Sequence, residues 1–331
     1  MNKYKFFIVL LIIPAILGAT KYAGEFLSLG YGSRSLSFGG IQATLPGIHS
    51  FYANPAAMIY APKTISVTHS YIFSGEANYN GIAMILPEQN RAIGFGLIHL
   101  GIADIPNTLD ALQDYGGDGL PNTGDAGENN GILDPGEWLD YDQVSYFSDN
   151  DYMLFISYAH TFKQNLSWGV GLKGIYRTIG DYSAYGVGTD IGLFYRTQYF
   201  DAAAVLNNAT TTYISWSTDN QEIVYPSMKT GLVVKAPLSW ENTTLSAGLE
   251  FDIYFEGREL ASQWSVSELS IDNHYGLELS IKDRFFLRGG NNYGHLTAGG
   301  GVRWRSLLFD YGFMSHEQLG ATHRFSIVYF R

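Results

Sequence analysis

The stretch that decides the fold runs from Leu166 to Arg177 and reads LSWGVGLKGIYR. Large apolar side chains recur at alternate positions, and mostly glycine, serine and basic residues lie between them. A period of two is typical of a β-strand with one apolar face, whereas a helix repeats every 3.6 residues. A membrane-spanning strand needs about 9–11 residues, while soluble strands average about 5–6. The stretch therefore predicts a transmembrane strand.

Runs of the same kind follow one another along most of the chain. We predict fourteen strands, at 63–73, 76–86, 91–101, 151–163, 166–178, 184–198, 200–207, 226–236, 242–255, 270–281, 284–291, 294–304, 306–315 and 320–331, with 211–217 as an additional candidate. A secreted β-sandwich would explain the alternation but not the length of these runs. The predicted fold class is therefore all-β, a transmembrane antiparallel β-barrel of about 14 strands.

The composition agrees with this architecture and excludes several functions. Charged residues make up 15% of the 331 residues, against about 25% in an average soluble protein. The chain has 38 glycines. It has no cysteine, and this absence excludes disulfides, thiolate metal sites and cysteine catalysis. Its net charge of −11 has the wrong sign for binding phosphates, so no nucleic acid is expected as a partner.

The N-terminus predicts export. Lys3 and Lys5 precede a short apolar run over 6–17, and small residues at Gly18 and Ala19 offer a cleavage site. The apolar run is too short to span a membrane as a helix, which takes about 20 residues. We therefore predict a signal peptide over 1–19 and a location in the bacterial outer membrane after its cleavage, with outer-membrane lipid as a partner.

The segment behind the signal carries a resemblance to a known family. It reads AGEFLSLGYGSRSLSFGG over 23–40 and reaches NPA at 54–56. This resembles the start of the mature chain in the PorV/PorQ family of outer-membrane barrels, a branch of the FadL-like superfamily. The C-terminal sequences FDYGF at 309–313 and THRFS at 322–326 are also similar. One departure is the last residue, Arg331, because outer-membrane barrels usually end on an aromatic residue.

The resemblance implies a fourteen-stranded barrel over 62–331, with the segment 20–61 folded into the lumen as a plug. Glycines allow tight turns in a confined space and Pro55 fixes a kink. The candidate plug residues are Gly30, Gly32, Arg34, Gly39, Gly40, Asn54, Pro55 and Ala56. For Asn54-Pro55, an ordinary turn before the first strand is the alternative.

The resemblance implies two different functions. PorV-like proteins act as accessories or adaptors in type IX protein secretion and surface attachment, with secretion-system proteins or secreted cargo as partners. In FadL-like relatives, the plug gates the uptake of hydrophobic compounds such as long-chain fatty acids and hydrocarbons. The residues leave both open, and a calcium-stabilised structural barrel is a third alternative.

A long acidic loop over 102–150 connects the third and fourth predicted strands and is expected on the extracellular side. The span 104–151 holds 12 of the 31 acidic residues, and no Lys or Arg occurs between Arg91 and Lys163. Two consecutive segments follow the ligand spacing of calcium-binding loops, with glycine at the sixth position. The candidate ligands are Asp114, Asp118, the Leu120 carbonyl, Asn122 and Asp125, then Glu128, Asn130, the Ile132 carbonyl, Asp134 and Glu137. A solvated acidic loop without metal is the alternative.

The sequence shows no catalytic constellation. It contains no GxSxG, HExxH, Walker or dinucleotide-binding motif in a suitable context. His323 and Ser326 are three residues apart on a strand and therefore face opposite sides, which argues against a barrel phospholipase. Charged residues on the polar strand faces are expected to pair within the lumen. We predict that the protein is not an enzyme.

Overall fold

The computed structural model describes residues 24–240 and 242–331, so the predicted signal peptide at 1–19 lies outside the described residues. The strands are β1 Thr64–Ile72, β2 Ala77–Pro87, β3 Arg91–Asn107, β4 Leu112–Gln113, β5 Trp138–Leu139, β6 Ser145–Lys163, β7 Leu166–Ile179, β8 Tyr182–Arg196, β9 Phe200–Asn207, β10 Thr212–Trp216, β11 Gln221–Val224, β12 Ser227–Leu238, β13 Thr243–Tyr254, β14 Trp264–Val266, β15 Leu269–Ile281, β16 Phe285–Asn292, β17 His295–Trp304, β18 Leu307–His316 and β19 Gly320–Phe330. The α-helices are α1 Ser33–Ser37 and α2 Ser50–Ala53, and 3-10 turns lie at Glu25–Ser28, Pro55–Tyr60, Phe73–Gly75, Tyr141–Gln143 and Glu259–Ala261. Neither these helices nor any other described helix is long and apolar enough to cross a membrane.

The strands form one closed antiparallel barrel. β1 pairs with β2 on one side and with β19 on the other, which closes the sheet. The sheet has 17 strands, and they occupy fourteen positions. β9 and β10 share one position, β11 and β12 share the next, and the short β14 extends the outer end of the wall beside β15. The predicted fold class is confirmed.

The two faces of the strands have the predicted chemistry. On β7, Leu172 and Trp168 point outward and are 47% and 36% exposed, while Lys173 points into the lumen and is 4% exposed. The same alternation continues around the barrel. An outward belt of leucine, valine, isoleucine and aromatic side chains is stable in lipid, where apolar surface costs nothing to expose.

The segment 24–61 fills the lumen as a plug and packs directly against the wall. Glycines on the lumen face of nine wall strands leave room for it, because a Cβ at these positions would meet the plug or its side chains. These glycines are Gly81, Gly94, Gly96, Gly169, Gly192, Gly248, Gly276, Gly290, Gly299 and Gly312. The high glycine content therefore serves the close approach of two backbones.

Gly169→Ala is expected to loosen the plug. A Cβ on Gly169 would lie 2.5 Å from the Ala56 amide nitrogen, so backbone must move, and overpacking of this kind costs about 1–3 kcal/mol. Gly174→Ala on the same strand is the control, because a Cβ there meets nothing within 4 Å. The free energy of unfolding is measured by urea titration in detergent. Equal losses in the two variants would show that Gly169 does not seat the plug.

Candidate functional site

A buried ion-pair network fastens the plug to the wall. The Arg34 guanidinium donates to both carboxylate oxygens of Glu278, from Nε at 2.9 Å and from Nη2 at 2.7 Å. Arg288 bridges Glu278 and Asp310 at 2.5 Å and 2.7 Å. Paired charges of this kind tolerate burial, whereas a single unpaired charge does not. The network makes Arg34 an anchor between the plug and strands β15, β16 and β18.

The other predicted plug residues shape the backbone of the segment. Gly30, Gly32, Gly39 and Gly40 all have φ between 72° and 81°, a region that side chains rarely adopt. Asn54 accepts a bond from the Ala56 amide at 3.1 Å and donates to the Ala43 carbonyl at 2.9 Å. Pro55 begins a 3-10 turn. Asn54-Pro55 therefore stands inside the lumen, held by the plug and by a bond from Asn54 Nδ2 to the Leu193 carbonyl of the wall at 3.2 Å.

One plug histidine stays neutral. His49 is 2% exposed, and its Nε2 lies 2.6 Å from the Leu45 carbonyl oxygen. Burial, followed by the nearby positive charge of Arg34, lowers the pKa of His49 to about 3. The neutral ring adds no charge to the region around Arg34 at ordinary pH.

The wall is interrupted at one place, which we call the wall break. The four residues 208–211 separate β9 from β10, and the two residues 225–226 separate β11 from β12 at the same level. β8 pairs with β9 up to Ile191 and with β10 from Val187, so 188–190 have no regular ladder partner on this side, although they pair regularly with β7 on the other.

Irregular contacts hold the wall break together. The Ala209 amide donates to the Thr189 carbonyl at 2.7 Å, and the Thr189 and Thr210 hydroxyls are 2.8 Å apart. Asn208 and Thr211 have positive φ angles, of 53° and 63°. Asparagine tolerates this conformation, but it is strained for a β-branched residue such as Thr211. Pro226 lacks the N–H that a ladder needs. These local features make the wall weaker here than along its regular seams.

Two cavities lie in the outer half of the lumen. The inner cavity, of about 80 Å³, lies beside the wall break and is lined by Asn207, Asn208, Val224 and Tyr225 among others. The outer cavity, of about 130 Å³, lies below the outer mouth, where Phe73 and His316 form part of its lining. Both cavities are lined by Glu25, Ser28, Gln42, Lys229 and Tyr254. These five side chains therefore stand between the two spaces.

Ion pairs line both cavities. Lys173 Nζ donates to Asp190 Oδ1 at 2.8 Å, and the same oxygen accepts the Asn208 amide at 2.8 Å. This links the lumen wall to the wall break. In the outer cavity, Lys229 pairs with Asp252. Each of these two lysines is thus paired with a carboxylate.

The acidic loop forms interlocked turns in which carboxylates accept backbone amides. Glu137 accepts the Gly116 amide at 2.7 Å and the Asp134 amide at 2.8 Å, and Asp114 accepts the Gly131 amide at 2.7 Å. The two predicted loops therefore contact each other. Asp118 and Asp125 cap the first turn, Glu128 reaches the Asn122 amide, Asn130 caps the Ile132 amide, and the Leu120 carbonyl accepts the Thr123 hydroxyl.

The loop does not present an assembled metal centre. In 24–240 and 242–331, no three His, Asp or Glu side chains stand close enough together to hold an ion. Calcium would have to draw the candidate carboxylates away from the amides that they accept. Calcium binding by the ten candidate ligands remains a prediction.

Chelation tests it. If calcium orders the loop, EDTA is expected to speed proteolytic cleavage within 104–150 several-fold, because the metal holds together a segment that carries no basic residue. Cleavage is followed by mass spectrometry, and added calcium must restore protection. Unchanged cleavage with chelator would refute the site.

The wall break and the residues between the cavities were not identified from the sequence. The signals available for the break were Asn207-Asn208 within a run of strand residues and Pro226 at the start of the next. No local pattern marks Lys229 or Asp252 as cavity residues, since both have the alternation of any lumen face.

Comparison with known proteins identifies solved structures that share the fold. No protein-family model and no curated protein matches the chain. The toluene transporter TbuX of Ralstonia pickettii is 12% identical with a TM-score of 0.51, covering 92% of this chain and 100% of that one. The toluene transporter TodX of Pseudomonas putida is 11% identical with a TM-score of 0.52, covering 90% and 96%. A FadL homologue of Pseudomonas aeruginosa is 11% identical with a TM-score of 0.50, covering 91% and 98%. The chain has the fold of the FadL-like outer-membrane barrels.

Proposed function

We propose that this protein is an outer-membrane channel that takes up small hydrophobic compounds and releases them sideways through the wall break. The observation that carries the proposal is the position of the inner cavity directly beside the interrupted strands, with Asn208 and Val224 in its lining. Beside this cavity, the contacts between 208–211 and β8 are irregular and do not form a ladder. The similar fold of two toluene transporters supports the proposal.

The packed plug favours exit of the compound through the barrel wall over passage along the barrel axis into the periplasm. Plug backbone contacts the wall at Gly169, Gly276 and Gly312, which lie on widely separated strands. Phe51 and Met58, below the cavities, are 1% and 0% exposed. Passage towards the periplasm would require this packed layer to unfold, whereas passage through the wall break requires a few hydrogen bonds to open.

The size of the cavities favours single-ring compounds over long-chain fatty acids. The outer cavity, of about 130 Å³, approaches the roughly 150 Å³ that holds benzene in another protein. The inner cavity, of about 80 Å³, must widen to admit one ring. Movement of the side chains between the cavities would join them into one path from the outer mouth to the wall break.

Uptake by whole cells tests the channel. Radiolabelled toluene is offered to a bacterial host without a channel of this fold, with and without expression of the protein. Faster uptake with the protein present is the expected result. No difference in uptake, with the protein folded in the outer membrane, would refute a role in passing compounds of this class.

A second candidate function, that of an adaptor in protein secretion, is favoured by the PorV/PorQ resemblance and by the packed plug. A barrel closed to straight passage with a long outer loop suits an adaptor that receives secreted cargo. Copurification from the native envelope tests it, with recovery of secretion components or surface cargo as the supporting result. Their absence from a preparation that retains other envelope complexes would refute the adaptor.

A further inference from the structure

The outer cavity has hydrogen-bonding capacity that the protein leaves unused. Asp252 and Gln42 line this cavity and are 5% and 8% exposed. Within the described part of the chain, Asp252 Oδ1 and Gln42 Oε1 are buried and receive no hydrogen bond, so an occupant reaches them when neighbouring side chains of the lining shift. Buried acceptors without a donor are costly, so both atoms favour an occupant that donates.

The other oxygen of Asp252 is already engaged. Lys229 Nζ donates to Asp252 Oδ2, and His274 Nε2 lies 3.4 Å from the same oxygen. His274 is held from its other side, where Nδ1 lies 2.6 Å from Asn292 Oδ1. The ion pair with Lys229 holds the carboxylate and leaves Oδ1 without a partner. His274 Nε2, in the same lining, also has no hydrogen-bond partner.

The lining favours a neutral occupant with an apolar body. It contains three acidic and three basic side chains, which balance: Glu25, Asp252, Asp272, Lys229, Arg258 and Arg324. Phe73, Tyr254 and Tyr293 supply aromatic surface. The volume of about 130 Å³ is close to the roughly 150 Å³ that holds one benzene ring elsewhere.

We propose that the outer cavity binds a neutral single-ring molecule that carries a hydroxyl group, represented by phenol. The hydroxyl donates to Asp252 Oδ1 or Gln42 Oε1, and the ring packs against the aromatic lining. This rests on the proposed function, because it names the class of compound that enters the route. A ring without a donor leaves both acceptors unpaired and binds more weakly.

Calorimetric titration of the full chain in detergent compares phenol with toluene, which has the same ring and a methyl group in place of the hydroxyl. Phenol is expected to bind at least roughly tenfold more tightly. Gln42→Leu removes one acceptor and should lower this ratio. Gln89→Leu, in the exposed β2–β3 turn, should leave it unchanged.

The outcomes separate the ligand from the site. No phenol binding, or toluene binding as tightly as phenol, overturns the proposal. A preference for phenol that survives Gln42→Leu, Asp252→Leu and the combination of both, which removes both acceptors, shows that binding occurs elsewhere and also overturns it. Heat-dependent gel mobility confirms that each variant is folded, and the Asp252 variant keeps the test valid if the Gln42 variant does not fold.

The same compounds distinguish a failure of this site from a failure of the channel. Specific phenol binding without uptake of either compound would refute the channel and leave the site intact. Uptake of toluene by a protein that shows no phenol binding would refute the site and leave the channel intact.

Discussion

Oxidation of the double variant Thr189→Cys, Thr210→Cys is expected to reduce uptake of toluene about tenfold or more, because a closed gate limits the whole route. The two hydroxyls are 2.8 Å apart across the wall break, so cysteines at these positions can approach within bonding distance. The native chain has no cysteine that would compete. Uptake is measured in whole cells before and after oxidation, and dithiothreitol should restore it.

A matched disulfide on a regular seam is the control. Val67 and Ile327 are paired between β1 and β19, and both point outward. Oxidation of the double variant Val67→Cys, Ile327→Cys should leave uptake unchanged, because this ladder is continuous. If the two disulfides have the same effect, the wall break has no special role in uptake.

Glu278→Gln is expected to lower the free energy of unfolding by about 3–5 kcal/mol, the usual cost of breaking a buried ion pair. The substitution keeps the shape of the side chain but removes the charge that Arg34 and Arg288 share. Arg288 would keep its contact with Asp310, whereas Arg34 would lose its carboxylate partner. Urea titration of the protein in detergent measures the loss.

The control for Glu278→Gln is an exposed ion pair between the same two residue types. Glu88 and Arg91 lie 2.5 Å apart with side chains that are 62% and 59% exposed. Glu88→Gln should change stability by no more than about 0.5 kcal/mol, since water solvates both partners. A loss from Glu278→Gln as small as this would show that the network does not anchor the plug.

The wall was predictable because each transmembrane strand carries its own signal. The run at 166–178 corresponds to β7, where alternation and length are both clear. The runs at 200–207 and 211–217 are found as β9 and β10, but they share one position because both pair with β8, one after the other. A local pattern cannot show that two strands continue along the same neighbour.

The outer ends of the wall strands were less predictable. β6 begins at Ser145, whereas the predicted strand begins at 151. The sequence SYFSDN over 145–150 lacks a clean alternation because it rises beyond the apolar belt, where lipid no longer selects the outward face. Pairing with β3, which extends to Asn107, forms this part of the strand.

The lumen contacts depend on the position of the plug and could be predicted only in part. Lys173 pairs with Asp190, as expected for lumen charges. Glu250 instead accepts the Gln42 and Ala43 amides of the plug at 3.1 Å and 2.9 Å. Arg303 lies over the Phe330 ring, 4.4 Å from its centre. The plug partners of Glu250 lie more than 200 residues away along the chain and leave no local pattern.

Photolabelling during uptake tests the sideways route most directly. A toluene analogue that carries a diazirine is offered to cells, activated by light, and its adducts are located by mass spectrometry. Labels on Asn208 and Val224, which line the inner cavity, are the expected result, and they should disappear when the Thr189–Thr210 disulfide is closed. Uptake with labels on the outward belt alone, unchanged by this disulfide, would contradict release through the wall break.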